Sequence, residues 1–243
     1  MTMRALIFDV DGTLADTERD GHRPAFNAAF ADAGLDWNWD AALYGELLAV
    51  TGGKERIRHY VAGHCPEFAE RPDFDAQVKR LHASKTEHYL RIVESGRLPL
   101  RPGVARLICQ ARIARLRLAI ATTTTPENVS VLLRSTLGSD AEGWFEVIGA
   151  GDVVPAKKPA PDIYQWVLER LELPPEHCLA LEDSANGLRS ALGAGLPTLV
   201  TESEYTAGQD FAGALAVLPD LAENNLDDIG AIYRKAYSLN KKS

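Results

Sequence analysis

Short apolar runs recur along the chain at Ala5–Phe8, Leu116–Ala121, Phe145–Ile148, Cys178–Leu181 and Leu196–Val200, and helical patterns separate most of them. Strand-length runs alternating with helices predict an α/β fold, a parallel sheet covered by helices on both faces. Residues 18–96 break the alternation and carry helical patterns only. One places Phe26, Ala29, Phe30 and Ala33 on a common face, with Gly34 as its stop. A second covers Leu43, Leu47 and Leu48, a third Ile57, Tyr60 and Val61, and a fourth runs from about Asp73 to Glu94. In that fourth helix Phe74, Val78, Leu81, Lys85, His88 and Ile92 are spaced by threes and fours, so Lys85 falls on the apolar stripe. The pattern predicts a helical domain over residues 18–96 inserted into a core made of 1–17 and 97–243. Ser95-Gly96-Arg97-Leu98-Pro99 serves as its return linker. No internal repeat is visible, and Asn240-Lys241-Lys242-Ser243 reads as a frayed tail.

The apolar run Ala5–Phe8 ends in Asp9-Val10-Asp11-Gly12-Thr13. Carboxylates two residues apart at a strand end point to the same side. Gly12 permits a sharp turn and Thr13 adds a hydroxyl. The set suits a divalent cation with oxygen ligands, and it leaves one carboxylate to attack an electrophile. An acidic turn after a strand is the plain alternative. Three further features fall at comparable places, the carboxyl ends of expected strands, where ligands bind in an open parallel sheet. Thr122 closes Leu118–Ala121; its hydroxyl and the next backbone N–H groups, from Thr123 on, would hold a phosphate oxygen. The following helix is expected to start at Pro126 with Thr125 as N-cap, and its positive end favours an anion. Lys157-Lys158-Pro159 puts Lys158 on a stiff, extended backbone reaching outward, with Lys157 a solvated surface lysine. Glu182-Asp183 follows Cys178–Leu181 and supplies more metal ligands. Each has a plain reading as a strand end, a cap or a surface charge; their coincidence does not.

Magnitude explains the need for a cation. A carboxylate about 4 Å from a phosphate meets repulsion of roughly 4 kcal/mol per charge pair at an effective dielectric near 20. A barrier raised that far slows a reaction about a thousandfold. Mg²⁺ between the two, with Lys158 beside it, reverses the local field, and Mg²⁺ suits one or two carboxylates plus substrate oxygen.

Composition narrows the partners. The chain has 243 residues, 46% hydrophobic and 25% charged, as in a globular protein with a real core. A formal net charge of -8 argues against nucleic acid or an anionic membrane. Cys65, Cys109 and Cys178 are odd in number and far apart, so neither a disulfide framework nor a metal spacing follows. Cys178 reads as a core thiol. No secretory pattern opens the chain and no run is long enough to span a bilayer. A cytoplasmic monomer acting on a small molecule is expected.

In this order the pieces resemble the haloacid dehalogenase superfamily of aspartate-nucleophile phosphatases. Asp9-Val10-Asp11-Gly12-Thr13 is similar to its first motif, Thr122 to its second, Lys158 to its third and Glu182-Asp183 to its fourth. The resemblance implies a Rossmann-like core with a helical cap inserted after the first strand. It implies that Asp9 attacks phosphorus and that Asp11 protonates the leaving oxygen and then activates water. It also implies that Thr122 and Lys158 hold the phosphoryl group. Mg²⁺ would bind Asp9, the Asp11 carbonyl and Asp183, with Glu182 close by.

A second resemblance covers most of the chain. Thr17–Arg23, Thr51–Arg56, Lys85-Thr86-Glu87, Lys157–Asp162, Ala180–Ser184 and Tyr205-Thr206 are similar to the CbbY family. That family is linked to carbon fixation in the Calvin cycle and removes a phosphate from xylulose-1,5-bisphosphate, an inhibitor of rubisco. The cap segments alone carry the substrate. Lys85 either snorkels or aims its ammonium at a second phosphate. Gly52-Gly53-Lys54 offers exposed N–H groups or an ordinary turn, and Arg56 a bidentate clamp or a charged helix face. His22 contacts ligand or is a solvated helix-start histidine; Glu18 and Tyr44 are weaker candidates, and Trp37 and Trp39 are expected in the cap's packing. The alternatives are a sugar-phosphate mutase such as β-phosphoglucomutase, a phosphatase of another small ester such as phosphoglycolate, and a non-catalytic Mg²⁺/phosphate sensor.

Overall fold

The computed structural model describes residues 2–239, so the expected tail at Asn240–Ser243 lies outside the described residues. The chain forms two units, one of residues up to Asp16 together with those from Pro99 onward, the other Thr17–Leu98.

The first unit is built on an all-parallel six-stranded sheet in the order β3-β2-β1-β4-β5-β6. The strands are β1 (Ala5–Phe8), β2 (Arg117–Ala121), β3 (Val147–Gly149), β4 (Cys178–Glu182), β5 (Thr198–Thr201) and β6 (Ala216–Leu218). In the central strand Ala5 lies opposite Arg117 and Cys178, and Phe8 opposite Ile120 and Leu181. The sheet grows one way from β1 through β2 and β3, and the other way from β4 onward. The reversal leaves a crevice between the carboxyl ends of β1 and β4, the usual ligand position in such sheets.

Both faces are covered, as continuous apolar strands require. Ala5, Ile7, Ala119, Ala121, Cys178 and Ala180 share a buried cluster with Ile163, Tyr164, Val167, Leu171 and Ala191. Those partners come from two helices, Asp162–Leu171 and Ala185–Gly193. Leu6, Phe8, Leu118, Ile120, Leu179 and Leu181 alternate with them and are equally buried on the opposite face. Val104–Ile113 packs on β2 and on the last helix, Leu226–Leu239. Pro126–Leu137 starts as expected, with the Thr125 side chain accepting from the Asn128 N–H. The edge strand β6 was not expected from sequence, although residues 214–218 form an apolar run; the strand has only three residues and Val217 is 42% exposed.

The second unit is helical: one π-helical turn at Glu18–His22, then α1 (Arg23–Asp32), α2 (Ala41–Leu47), α3 (Gly53–His64), α4 (Pro66–Ala69) and α5 (Phe74–Glu94). Its core is aromatic. Trp39 is fully buried, its ring 4.7 Å from Phe26 and 4.8 Å from Phe30, and Trp37 packs on Tyr60 and Phe68. The Asn27 amide holds the Trp39 backbone from both sides, at 2.9 and 2.8 Å. The buried stripe of α5 is Val78, Leu81, Lys85, Tyr89 and Val93. It departs from the expected His88 and Ile92 by one position in the last two turns, because from Leu81 onward every step is four, so the stripe drifts slowly round a 3.6-residue helix instead of alternating threes and fours.

Among the described residues no helix is long and apolar enough to cross a membrane. The cysteines are free: Cys178 is buried, Cys65 half-buried and Cys109 exposed.

Candidate active site

Asp9 follows β1, and its N–H donates to the Leu181 carbonyl at 3.0 Å, continuing the pairing with β4 by one residue. That bond sets Asp9 beside Glu182 and Asp183, which close β4 and begin the next loop. The chain then turns tightly, with the Gly12 N–H on the Ala15 carbonyl and Leu14 N–H on Val10. Gly12 is required twice over: its φ is +82°, and a Cβ there would stand 2.0 Å from Asp183 Oδ2.

Asp9, Glu182 and Asp183 are all buried, and one carboxylate oxygen from each lies within 4.8 Å of the others. The Lys158 ammonium donates to Asp9 Oδ1 at 2.7 Å and to Glu182 Oε1 at 2.6 Å. The Tyr164 hydroxyl donates to the same Glu182 oxygen at 2.5 Å, and the Ser203 hydroxyl to Asp183 Oδ2 at 2.8 Å. Lys158 is thus buried against carboxylates; the expectation that it reaches outward is corrected, since its bonds to Asp9 and Glu182 hold the ammonium inside. Lys157 does not stand free in solvent either. Its Nζ bonds the Gly151 carbonyl at 2.7 Å and Asp152 at 2.6 Å.

Three carboxylates face one ammonium, and the imbalance shows in their acidity. Burial pushes Asp9 up to about 7; Lys158 opposes the shift, while Glu182 and Asp11 add to it. Asp183 is raised well above the carboxylate range by burial, Asp9 and Glu182. Burial works against the Lys158 charge, but Asp9 and Glu182 outweigh it and raise its pKa. An excess of buried negative charge on hard oxygen donors fits a divalent cation such as Mg²⁺ or Ca²⁺. The Asp11 side chain is half-buried in the turn and lies outside this group of three.

Thr122 follows β2, buried, its N–H on the Gly149 carbonyl at 2.9 Å and its hydroxyl accepting from the Thr124 N–H at 3.3 Å. Thr123 beside it is half-buried. Asn128 Nδ2 donates to Thr124 Oγ1 at 2.8 Å, which ties this loop to the helix that follows.

Several residues of this centre were not found from sequence. Tyr164 and Ser203 lie 18 and 20 positions from the carboxylates they hold. Arg101 is buried and donates to the Gly12 carbonyl, to Thr201 O at 3.0 Å, Glu202 O at 2.5 Å and Pro219 O at 2.9 Å. Gly187 has no room for a Cβ, which would lie 1.9 Å from Glu182 Oε2. A glycine three residues into the helix that follows an acidic strand end was the available signal.

Within the second unit the candidates gather in two places. Tyr44 donates to Glu18 and accepts from Arg56 at 2.9 Å, with Arg56 3.7 Å from Glu18. Lys85 Nζ lies 2.7 Å from His22 Nδ1 and 5.1 Å from the ring centres of Phe26 and Tyr89. An ammonium only donates, so His22 Nδ1 accepts and the neutral ring carries its proton on Nε2. At two positions one of the two open readings falls. Lys85 is 5% exposed and does not snorkel, because the rings and His22 receive its charge. His22 is buried and stacked on Tyr89 at 4.1 Å rather than solvated. Gly52, Gly53 and Lys54 open α3, where Gly52 has φ +98°.

A family model for haloacid dehalogenase-like hydrolases matches residues 3–195. The chain is 56% identical to protein CbbY encoded on a plasmid of Cupriavidus necator, across 91% of this chain and 87% of that protein. A crystal structure of a CbbY mutant from Rhodobacter sphaeroides in complex with xylulose-1,5-bisphosphate superposes with a TM-score of 0.87 at 46% identity, covering 93% of this chain and 99% of that one. β-Phosphoglucomutase from Clostridium difficile has a TM-score of 0.80 at 18% identity, over 98% of this chain and 100% of that one, a likeness of fold.

Proposed function

The chain belongs to the haloacid dehalogenase-like hydrolases and is a phosphatase of the CbbY type, and from that premise we propose that it hydrolyses xylulose-1,5-bisphosphate through an aspartyl-phosphate on Asp9. The observation that carries the reading is the buried Asp9 at the β1–β4 crevice, held by Lys158 and flanked by Asp183. The similarity to a protein crystallised with that bisphosphate supports the substrate.

Asp9 is the nucleophile. Its carboxylate oxygen forms a bond to phosphorus as the bond from phosphorus to the sugar oxygen breaks. Asp11, in the adjacent turn and less buried, donates its proton to the departing sugar oxygen. A water then attacks the phosphorus of the aspartyl-phosphate, Asp11 takes the water's proton, and the Asp9–phosphorus bond breaks to release inorganic phosphate. Thr122, Thr123 and Lys158 hold the phosphoryl oxygens, with Lys158 remaining cationic throughout. Asp9, Asp183 and the Asp11 carbonyl would hold Mg²⁺, with Glu182 alongside. When bound, the metal supplies positive charge between nucleophile and phosphoryl oxygens and so removes their mutual repulsion. Glu182 has a second task, since Lys158 and Tyr164 share one of its oxygens and are fixed by it.

For the second phosphate we assign the cationic residues of the helical unit, Lys85 and Arg56, with Lys54 and the Gly52-Gly53 N–H groups at the start of α3. Glu18 and Tyr44 hold Arg56 in place, and His22 holds Lys85. Phosphate release across a panel of sugar mono- and bisphosphates is the test. The highest kcat/KM is expected for xylulose-1,5-bisphosphate. Isomerisation of β-glucose 1-phosphate without phosphate release, or a preference for phosphoglycolate, would overturn the substrate assignment.

A further inference from the structure

The segment after β5 reaches into the acidic centre, and none of the mechanism above uses it. Ser203 Oγ lies 2.8 Å from Asp183 Oδ2 and 3.0 Å from Thr206 Oγ1. Thr206 Oγ1 in turn accepts from the Ser203 N–H at 2.8 Å. A hydroxyl has one proton to give. With a cation bound Asp183 is ionised and can only accept, so the Ser203 proton goes to Asp183. The Ser203–Thr206 contact is therefore filled by the Thr206 proton, with Ser203 Oγ as acceptor. The three groups form a chain, Thr206 to Ser203 to Asp183, in which the Ser203 hydroxyl has one orientation; the Thr206 hydroxyl has the Ser203 carbonyl, at 3.4 Å, as a longer second acceptor.

The segment carrying this chain is itself held. Buried Arg101 binds the Thr201 and Glu202 carbonyls immediately before Ser203, and with the same guanidinium the Gly12 carbonyl of the nucleophile's turn. Gly12 leaves Asp183 no freedom on its other side, since its backbone lies against the same Oδ2. One oxygen of Asp183 is thereby pinned by Ser203 and Gly12, which fixes the direction of its other oxygen.

We infer that Ser203, oriented by Thr206, is a positioning residue for Asp183, presenting the free carboxylate oxygen in the geometry that Mg²⁺ demands. Mg²⁺ tolerates little departure from octahedral coordination, so loss of an orienting hydrogen bond weakens binding by about 10–100-fold. The inference rests on the proposed metal reading and goes beyond it by assigning residues outside the four motifs.

Isothermal titration of the metal-free protein with MgCl₂, without substrate, is the experiment. Ser203→Ala is expected to bind Mg²⁺ about 10–100-fold more weakly than the parent. Thr206→Val, which removes the hydroxyl but not the bulk, is expected to shift affinity in the same direction by less. In turnover assays Ser203→Ala should recover most of its kcat at saturating Mg²⁺, with the loss confined to the Mg²⁺ concentration for half-activity; a purely structural role would not give that split. Circular dichroism establishes that each variant is folded, and Thr206→Val supplies the test if Ser203→Ala is not. Parental binding of Mg²⁺ with unchanged affinity in the folded variants would overturn the inference alone. A parent that binds no Mg²⁺ would overturn the metal reading, and the inference with it.

Discussion

The Lys158 ammonium donates to Asp9 Oδ1 at 2.7 Å, and no more than 9% of either side chain is exposed. Breaking a buried ion pair by removing one partner costs about 3–5 kcal/mol, because the other charge stays behind. Here three carboxylates would stay behind. Lys158→Met should therefore abolish phosphate release and lower the melting temperature in EDTA. A variant with parental melting behaviour would show that the pair carries little stability.

The raised pKa of Asp9 fixes the sign of a pH effect. Its pKa is 3.8 unfolded and about 7 folded, so between those values the folded state holds more protons. Stability of the metal-free protein must then fall as pH rises from about 4 to 7 through this group. Asp183, also raised, acts in the same direction. Added Mg²⁺ should recover most stability at the alkaline end of that window, through preferential binding to the folded state. Scanning calorimetry from pH 4 to 8 in EDTA and in MgCl₂ checks this; a stability rising with pH in EDTA would refute it.

Asp9→Asn removes the nucleophile and one buried charge together. Turnover should vanish while the fold remains, and the metal-free variant should melt higher than the parent at pH 8. Any phosphate release by this variant above the buffer rate would end the aspartyl-phosphate mechanism.

Gly187→Ala provides a test of sign. Replacing a helical glycine by alanine ordinarily stabilises by about 1 kcal/mol. At this position the new Cβ would stand 1.9 Å from Glu182 Oε2, a buried group whose other oxygen is bonded to Lys158. The substitution should destabilise by roughly 1–3 kcal/mol, as overpacking does, and should reduce kcat. Urea denaturation decides between the two signs.

Lys85→Ala should raise KM for xylulose-1,5-bisphosphate far more than for a sugar monophosphate. Equal changes for both substrates would remove Lys85 from the second-phosphate site and leave it with the packing that its contacts to Phe26 and Tyr89 provide.

Much of this molecule is legible in the sequence because its chemistry sits where apolar runs stop. β1 and β4 are buried on both faces, so each run ends abruptly at an acidic residue, and Asp9, Glu182 and Asp183 stand out for that reason. What stayed hidden depends on tertiary contact. Ser203, Tyr164 and Arg101 carry no local pattern, and each meets its partner across 18 or more residues. The edge strand β6 lies in the apolar run 214–218, but that run is short, rich in alanine and half-exposed, and it ends on Pro219 rather than on an acidic residue that would mark a functional strand end. His22 and Lys85 were visible as residues, but their pairing depends on how α5 packs along the helix that starts after His22.

The position of β1 in the sheet also sets an order of events during synthesis. β1 leaves the ribosome first, yet its neighbours begin only at Arg117 and Cys178. At roughly 5–20 residues per second the nascent strand waits on the order of ten seconds for its first partner. In that interval Thr17–Leu98 is complete and has its own aromatic core to form. The helical segment is thus translated whole while the segment bearing Asp9 is still an unpaired apolar ribbon, the stage at which a chaperone would have most to shield.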